Sequence, residues 1–577
     1  MARAIRGDDA AVAEGPAGQI VDSSLLAHTD RLRRELYSLG ENAWTLVGNG
    51  LSNQTFVRGP GGIIAIDTGE SVEEMRAALA TLREVASEPI VAVLYTHFHY
   101  VGGTTAVSES EPVESIIGHE RIALNLSRSA TEIAPTYSRG LVEQFAVSLD
   151  EDGPDGLINV GLGRSYRFAE HAPHTIGHVP ATVTFGDESV FQVAGLEVVA
   201  RPAPSDADDS VTFWFPELSL AVHNLVWPAL FNVFAIRGES YRDPRVLIDG
   251  LDHLVGLGAE HLAATHGPPM SGAAEIATRV TRYRDAIQFL WDQTVRWTNR
   301  GLSGPDLAER IQLPEVFSDD WLLQQHYGVA EHHVQQIRSG LFGFFDGDPQ
   351  RLLPHPERER AERFVAAMGG LDVVRAIIEG ATEDDPRWAL ELAGLVAHHR
   401  DADDGDRQRL AAVLRVVARR TTSANLRNWC LTRARDADGT RSLGRNRVHR
   451  FRPRQVASWS MSDLVGVLRV LLVPERADGI DAHLGVELDG ERVGLHVRNA
   501  IACPTDGVGA SVVVRCARST WVDLLCCSMS LDEAIASGAV AIDPGADANA
   551  DAGVDTDVDT VRRVLGVFDL ESLAGSS

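Results

Sequence analysis

This sequence predicts an α/β fold, a two-sheet sandwich flanked by helices (αββα), followed by an all-α region and a small α+β domain. Three observations carry that expectation. Between residues 38 and 272, short β-branched runs alternate with helical segments and Gly/Pro punctuation, as in sheets covered by helices. After Gly272 the apolar period turns helical, with Val280, Tyr283, Ile287, Leu290, Thr294 and Trp297 at three- and four-residue spacing. Further on, residues 486–495 alternate around Asp489-Gly490, a strong hairpin signal.

Residues 44–47, 55–57 and 63–66 read as strands, the last running into Asp67-Thr68-Gly69. Residues 75–85 form a helix with Met75, Leu79 and Leu82 on one face, and 91–95 a buried strand. Gly301 is placed to end the long helix, and Ser303-Gly304-Pro305-Asp306 restarts one as a capping box with proline in the first turn. Amphipathic helices follow over 361–367, 371–378, 388–398 and 407–418. Residues 461–472, 521–527 and 560–568 are helical and 511–515 a strand; the Asp-rich stretch 543–559 reads as a mobile acidic loop without EF-hand spacing. The expected partition is a flexible amino terminus at 1–22, the sandwich at 23–275, the helical domain at 276–436, an Arg-rich linker at 437–457 and the carboxy-terminal domain at 458–577.

At 577 residues the chain is too long for one core. A formal charge of −28 argues against nucleic acid or an anionic membrane as partner, because both demand a basic face. Residues 1–14 have no apolar core and no apolar run nears the ~20 residues of a membrane span, so a cytoplasmic protein without a secretory leader is expected. Cys430, Cys503, Cys516, Cys526 and Cys527 lack metal-type spacing and read as reduced structural thiols. The arginines of the linker could meet an anion, though a solvated tether is the simpler role.

The chemistry concentrates in Tyr95-Thr96-His97-Phe98-His99-Tyr100-Val101-Gly102-Gly103. Two histidines at i, i+2 just past a strand end can aim both imidazoles at one cation, with nitrogens about 2.0–2.1 Å from zinc. This loop resembles that of the metallo-β-lactamase superfamily, H-x-H-x-D-H before a glycine pair, with its Asp-His pair deleted. Leu51-Ser52-Asn53-Gln54-Thr55-Phe56, Phe231-Asn232-Val233-Phe234-Ala235-Ile236-Arg237-Gly238 with Arg242-Asp243, Tyr283-Arg284-Asp285-Ala286-Ile287, residues 343–349 and Leu426-Arg427-Asn428-Trp429 are similar, in order, to motifs of the alkyl- and aryl-sulfatases of that superfamily. The resemblance implies a lactamase-like sandwich, an α-helical dimerisation domain and a sterol-carrier-like (SCP2-like) α+β domain able to hold an apolar substrate.

Carried over position by position, the resemblance makes His97, His99, Asp206, His223 and His266 the metal ligands, with Asp208 and Asp209 close enough to compete with Asp206. His223 stands where the family has a bridging carboxylate, and imidazole offers one lone pair to one metal, so a single cation is expected. His266 is either a further ligand or a nearby acid/base. Zinc suits this set; iron(II) suits a two-His, one-carboxylate set equally. The resemblance further implies that Arg237 contacts sulfate, that Asn232 donates to an ester or leaving-group oxygen, and that His332 enters the cleft with His333 beside it. Tyr100, where the deleted pair begins, either fills space or donates a proton. The expected activity is hydrolysis of a sulfate-type ester or related anionic amphiphile by a homodimer. A redox or lyase-type mononuclear site and a non-catalytic amphiphile-binding scaffold are the other readings.

Overall fold

The computed structural model describes residues 3–234, 241–444, 453–545 and 554–572. Seven strands, Glu35–Leu39, Ala43–Val47, Gln54–Gly59, Gly62–Ile66, Ile90–Leu94, Ser115–His119 and Val183–Phe185, form one sheet in sequence order. The first three pairings are antiparallel and the last three parallel. A second sheet takes Ser189–Val193, Leu196–Pro202, Val211–Phe215, Leu220–His223, His261–Ala264 and Met270–Ser271, again in sequence order. Val57, Ile64, Ile66, Ala92 and Leu94 from the first sheet and Val198, Val211, Phe213, Phe215 and Val222 from the second share one buried cluster, so the sheets pack face to face as expected.

The helix Ala273–Thr298 buries the predicted stripe through Val280, Tyr283, Ile287, Leu290 and Thr294. Ser303 and Asp306 cap the next helix reciprocally. Tyr283, Ile287 and Leu290 belong to the same cluster as Trp227, Leu230 and Phe231, so the expected boundary at 275/276 falls inside one compact unit, formed by 1–123 and 140–442. The amino terminus was expected to be flexible. Its described part instead pairs Val12–Glu14 with Ile20–Asp22 and donates the Ala4 N–H to Glu331 at 2.9 Å, because these backbone groups find ladder and carboxylate partners.

Residues 443–577 form a second unit, close to the carboxy-terminal domain expected at 458–577, and 124–139 join it, an attachment that no sequence pattern signals. Ser127 donates to Asp463 at 2.7 Å, Arg469 pairs with Glu132 at 2.7 Å, and Ala134 joins the carboxy-terminal core. That core lines a five-stranded sheet containing Ala482–Leu488, Glu491–Arg498, Ile501–Thr505, Val512–Cys516 and Val540–Pro544. The predicted hairpin is present, with Asp489 and Gly490 both at positive φ. Residues 445–452 of the Arg-rich linker and 546–553 of the acidic loop lie outside the described residues; the rest of the acidic stretch is a strand end and a helix from Val554.

His28 and His326 meet in the first unit as tilted rings, 4.5 Å between centroids and 31° between planes, each bonded to a backbone carbonyl, Gly161 at 2.8 Å and Thr422 at 3.2 Å. Burial pushes His28 down to about 3 and lowers His326 too. Both rings are neutral when folded and take up protons on unfolding below their ordinary pKa of about 6.5. Stability is therefore expected to fall as pH drops below about 6.5, by up to roughly 1.4 kcal/mol per pH unit from His28 down to its folded value of about 3, with His326 acting in the same direction. A urea midpoint unchanged between pH 7 and 5 would contradict this.

Candidate metal centre

The strand Ile90–Leu94 delivers His97 and His99 to one edge of the sandwich, where Asp206, in the loop between Leu196–Pro202 and Val211–Phe215, meets them. His97 Nε2 lies 3.7 Å from Asp206 Oδ1 and His99 Nδ1 3.1 Å from Oδ2. The ligand atoms of these three all lie within 4.8 Å of one another, and among the described residues this is the one such cluster. The loop turns tightly because Gly103 has no Cβ, which would sit 2.1 Å from the Thr68 carbonyl oxygen.

Partners behind the cluster fix its orientation. Thr96 Oγ1 donates to Asp67 Oδ2 at 2.6 Å, and the Thr96 N–H donates to Oδ1 at 2.8 Å. With its one proton on Asp67, the hydroxyl accepts from His97 Nδ1 at 2.9 Å, which leaves the Nε2 lone pair facing the cluster. Burial pushes Asp67 up to about 7 against the pull of the two Thr96 bonds. Burial would also raise Asp206, but His97 and His99, when protonated in the absence of a cation, and Arg242 behind them hold its carboxyl well below the usual range. Asn224 clamps Asp206 Oδ1 at 2.6 Å and accepts from Trp227 Nε1 at 3.0 Å. Asp67, Thr96, Asn224 and Arg242 were not among the expected site residues.

Neither competing acid joins the three converging donors. Asp208 receives Arg121 at 2.6 and 2.9 Å, and Asp209 accepts the Phe98 N–H at 3.1 Å. His223, placed among the ligands by the resemblance, stands apart from the three converging donors. It is fully buried outside the cluster, and its Nδ1 accepts the Leu225 N–H at 2.9 Å. Its Nε2 is buried with no hydrogen-bond partner among the described residues. His266 also lies outside the cluster. Its Nδ1 donates to the Leu51 carbonyl at 3.0 Å, leaving Nε2 to accept from the Tyr100 hydroxyl at 3.3 Å. A phenol therefore stands against the imidazole that a second cation would need.

A second group gathers near the helix Ala330–Phe342. His333 is wholly buried with neither ring nitrogen bonded, and burial pushes it down to about 3. His332, part-buried and lowered by burial, meets the Phe234 ring edge-on at 5.7 Å. Asn232 is buried, and its carbonyl accepts Arg242 Nη1 at 2.6 Å. Arg242 is itself buried, 5.9 Å from the Phe231 ring centre. Arg237 lies outside the described residues.

An αββα sandwich with two imidazoles and a carboxylate converging at one edge defines a metallo-β-lactamase-fold metal-dependent hydrolase. Residues 47–194 match the metallo-beta-lactamase superfamily and 303–439 the alkyl sulfatase dimerisation family. A linear primary-alkylsulfatase of Pseudomonas sp. is 31% identical over 539 residues, covering 89% of this chain and 98% of that one. An (R)-specific secondary-alkylsulfatase of Pseudomonas sp. is 24% identical over 528 residues, covering 85% and 76%. The solved stereoselective inverting sec-alkylsulfatase of Pseudomonas sp. shares the fold, with a TM-score of 0.83 at 21% identity over 98% of this chain and 92% of that one. The chain belongs to the alkylsulfatase family of the metallo-β-lactamase superfamily.

Proposed function

We propose that this chain hydrolyses the sulfate ester of an anionic amphiphile at a site built for one divalent cation held by His97, His99 and Asp206. The convergence of those three donors within 4.8 Å carries the reading. The donor chemistry fits a cation: one anionic oxygen and two imidazole nitrogens, with Thr96 and Asn224 orienting them. When bound, such a cation supplies Lewis acidity and activates water. Zinc is our choice, because three protein ligands leave it an open position; iron(II) also accepts this set.

The protein's own groups handle the anion. Arg242 offers a buried guanidinium beside Asn232 and His333, and a fork of fixed donors suits a tetrahedral oxyanion. His332, His333 and Asn232 line the same neighbourhood, and Arg237 joins them by family resemblance. Sulfate release from a medium-chain alkyl sulfate tests this. Arg242→Ala is expected to lower kcat/KM by about 10²–10³, the loss typical of one charge-stabilising donor. Activity untouched by both Arg242→Ala and His97→Ala would remove the hydrolase reading.

We read the assembly as a homodimer. In residues 303–439, Phe344, Leu353 and Phe342 are 82%, 87% and 57% exposed, more apolar surface than a lone chain normally leaves in water. Phe344→Glu with Leu353→Glu is expected to shift sedimentation toward monomer; an unchanged profile would place the contact elsewhere. The carboxy-terminal sheet and helices are read as a sterol-carrier-like holder for the substrate's apolar tail. A reducing compartment, the cytoplasm, suits the five free thiols, and no described helix is long and apolar enough to cross a membrane.

A further inference from the structure

On the carboxy-terminal sheet three metal-ligating side chains stand in one row. His483 and His496 are direct cross-strand partners, and His496 and Cys503 are partners across the next pairing. Direct partners project from the same face, and the two rings stack at 5.3 Å with 27° between planes. Gly494 keeps the face open beside them: a Cβ there would sit 2.4 Å from Thr505 Oγ1, the atom that His483 Nε2 meets at 2.7 Å. All three are part-exposed, and Cys503 is a free thiol.

We propose that His483, His496 and Cys503 form a second, structural or regulatory site for a borderline divalent cation of the zinc or copper class. Asp481 Oδ1 lies 2.6 Å from His496 Nε2. A carboxylate on that nitrogen holds the proton there and leaves Nδ1 as a lone pair, the arrangement that prepares an imidazole for metal. Thr505 occupies the Nε2 end of His483, so its Nδ1 is likewise the free end. Arg498 Nη2 lies 3.9 Å from Cys503 Sγ. Two imidazoles and a thiolate select zinc or copper over magnesium or calcium. Binding releases the Cys503 proton to solvent and closes the row by side-chain rotation, since these donors have not converged within 4.8 Å as those of His97, His99 and Asp206 have. A weaker, exchangeable site is expected from that difference.

The experiment uses full-length protein stripped of metal and titrated with zinc by calorimetry, while mass spectrometry follows alkylation at each cysteine. The His97→Ala variant is expected to keep one zinc step, and zinc is expected to slow alkylation of Cys503 but not of exposed Cys527. His496→Ala and Cys503→Ser each remove that step without changing thermal stability or sulfate release. Asp481→Asn is expected to weaken it by about tenfold, the lower end for a group that orients a metal ligand. The proposal is overturned if Cys503 reacts at the same rate with and without zinc, or if the zinc step of His97→Ala survives both His496→Ala and Cys503→Ser.

Discussion

Replacing Asp206 with asparagine is expected to cost the protein its bound metal and its sulfate release together. The substitution keeps shape and leaves an oxygen for the Asn224 amide, which now donates to Asp206 Oδ1 at 2.6 Å, so the fold should persist. It removes the one anion among three converging donors and leaves two neutral imidazoles, which hold a divalent cation poorly. The loss in affinity should exceed the about 10–100-fold that follows removal of a group merely orienting a ligand. Asp208→Asn is the control, because that carboxylate already pairs with Arg121. Metal analysis after dialysis reads both. Full metal occupancy in Asp206→Asn, or its loss in Asp208→Asn, would show that the loop acids are assigned in the wrong order.

Trp227→Ala is expected to be the most destabilising change of a single side chain near the site, costing about 3–5 kcal/mol. Trp227 is 1% exposed, stacks on Phe231 at 4.1 Å between centroids and meets Tyr327 and His266 edge-on. Its loss leaves a cavity in the core that the sandwich shares with the long helix. Trp227→Phe separates packing from hydrogen bonding. It keeps an aromatic ring but deprives Asn224 Oδ1 of its donor, so metal affinity should fall while most of the stability is retained. Equal urea midpoints for wild type and Trp227→Ala would contradict the packing argument.

What the sequence disclosed follows from the range of the interactions involved. The His97-x-His99 pair at a strand end, the stripe from Val280 to Thr294 and the Asp489-Gly490 hairpin are local patterns, and each formed as read. Asp206, Asp208 and Asp209 share one loop, where spacing cannot rank them; Arg121 and the Phe98 amide, distant in sequence, do. Matching of segments places His223 among the ligands; that its Nδ1 accepts the Leu225 amide is a contact no sequence pattern signals. Asp67 lay in plain view after its strand, and its value comes from Thr96, a contact between two strand ends. Arg242 stood inside the Arg-Asp segment, yet only burial beside Asn232 marks it. The attachment of residues 124–139 to the carboxy-terminal unit rests on pairings such as Ser127 with Asp463, which no periodicity signals.

The proposed chemistry rests on one cation in the sandwich, with Tyr100 closing the position beside His266. X-ray diffraction from metal-replete crystals, recorded on both sides of the metal's absorption edge, locates each ion directly. The expected result is a single anomalous peak at the sandwich edge, bounded by His97, His99 and Asp206, with the Tyr100 hydroxyl still on His266. A second peak at His266 or His223, with Tyr100 swung aside, would contradict it.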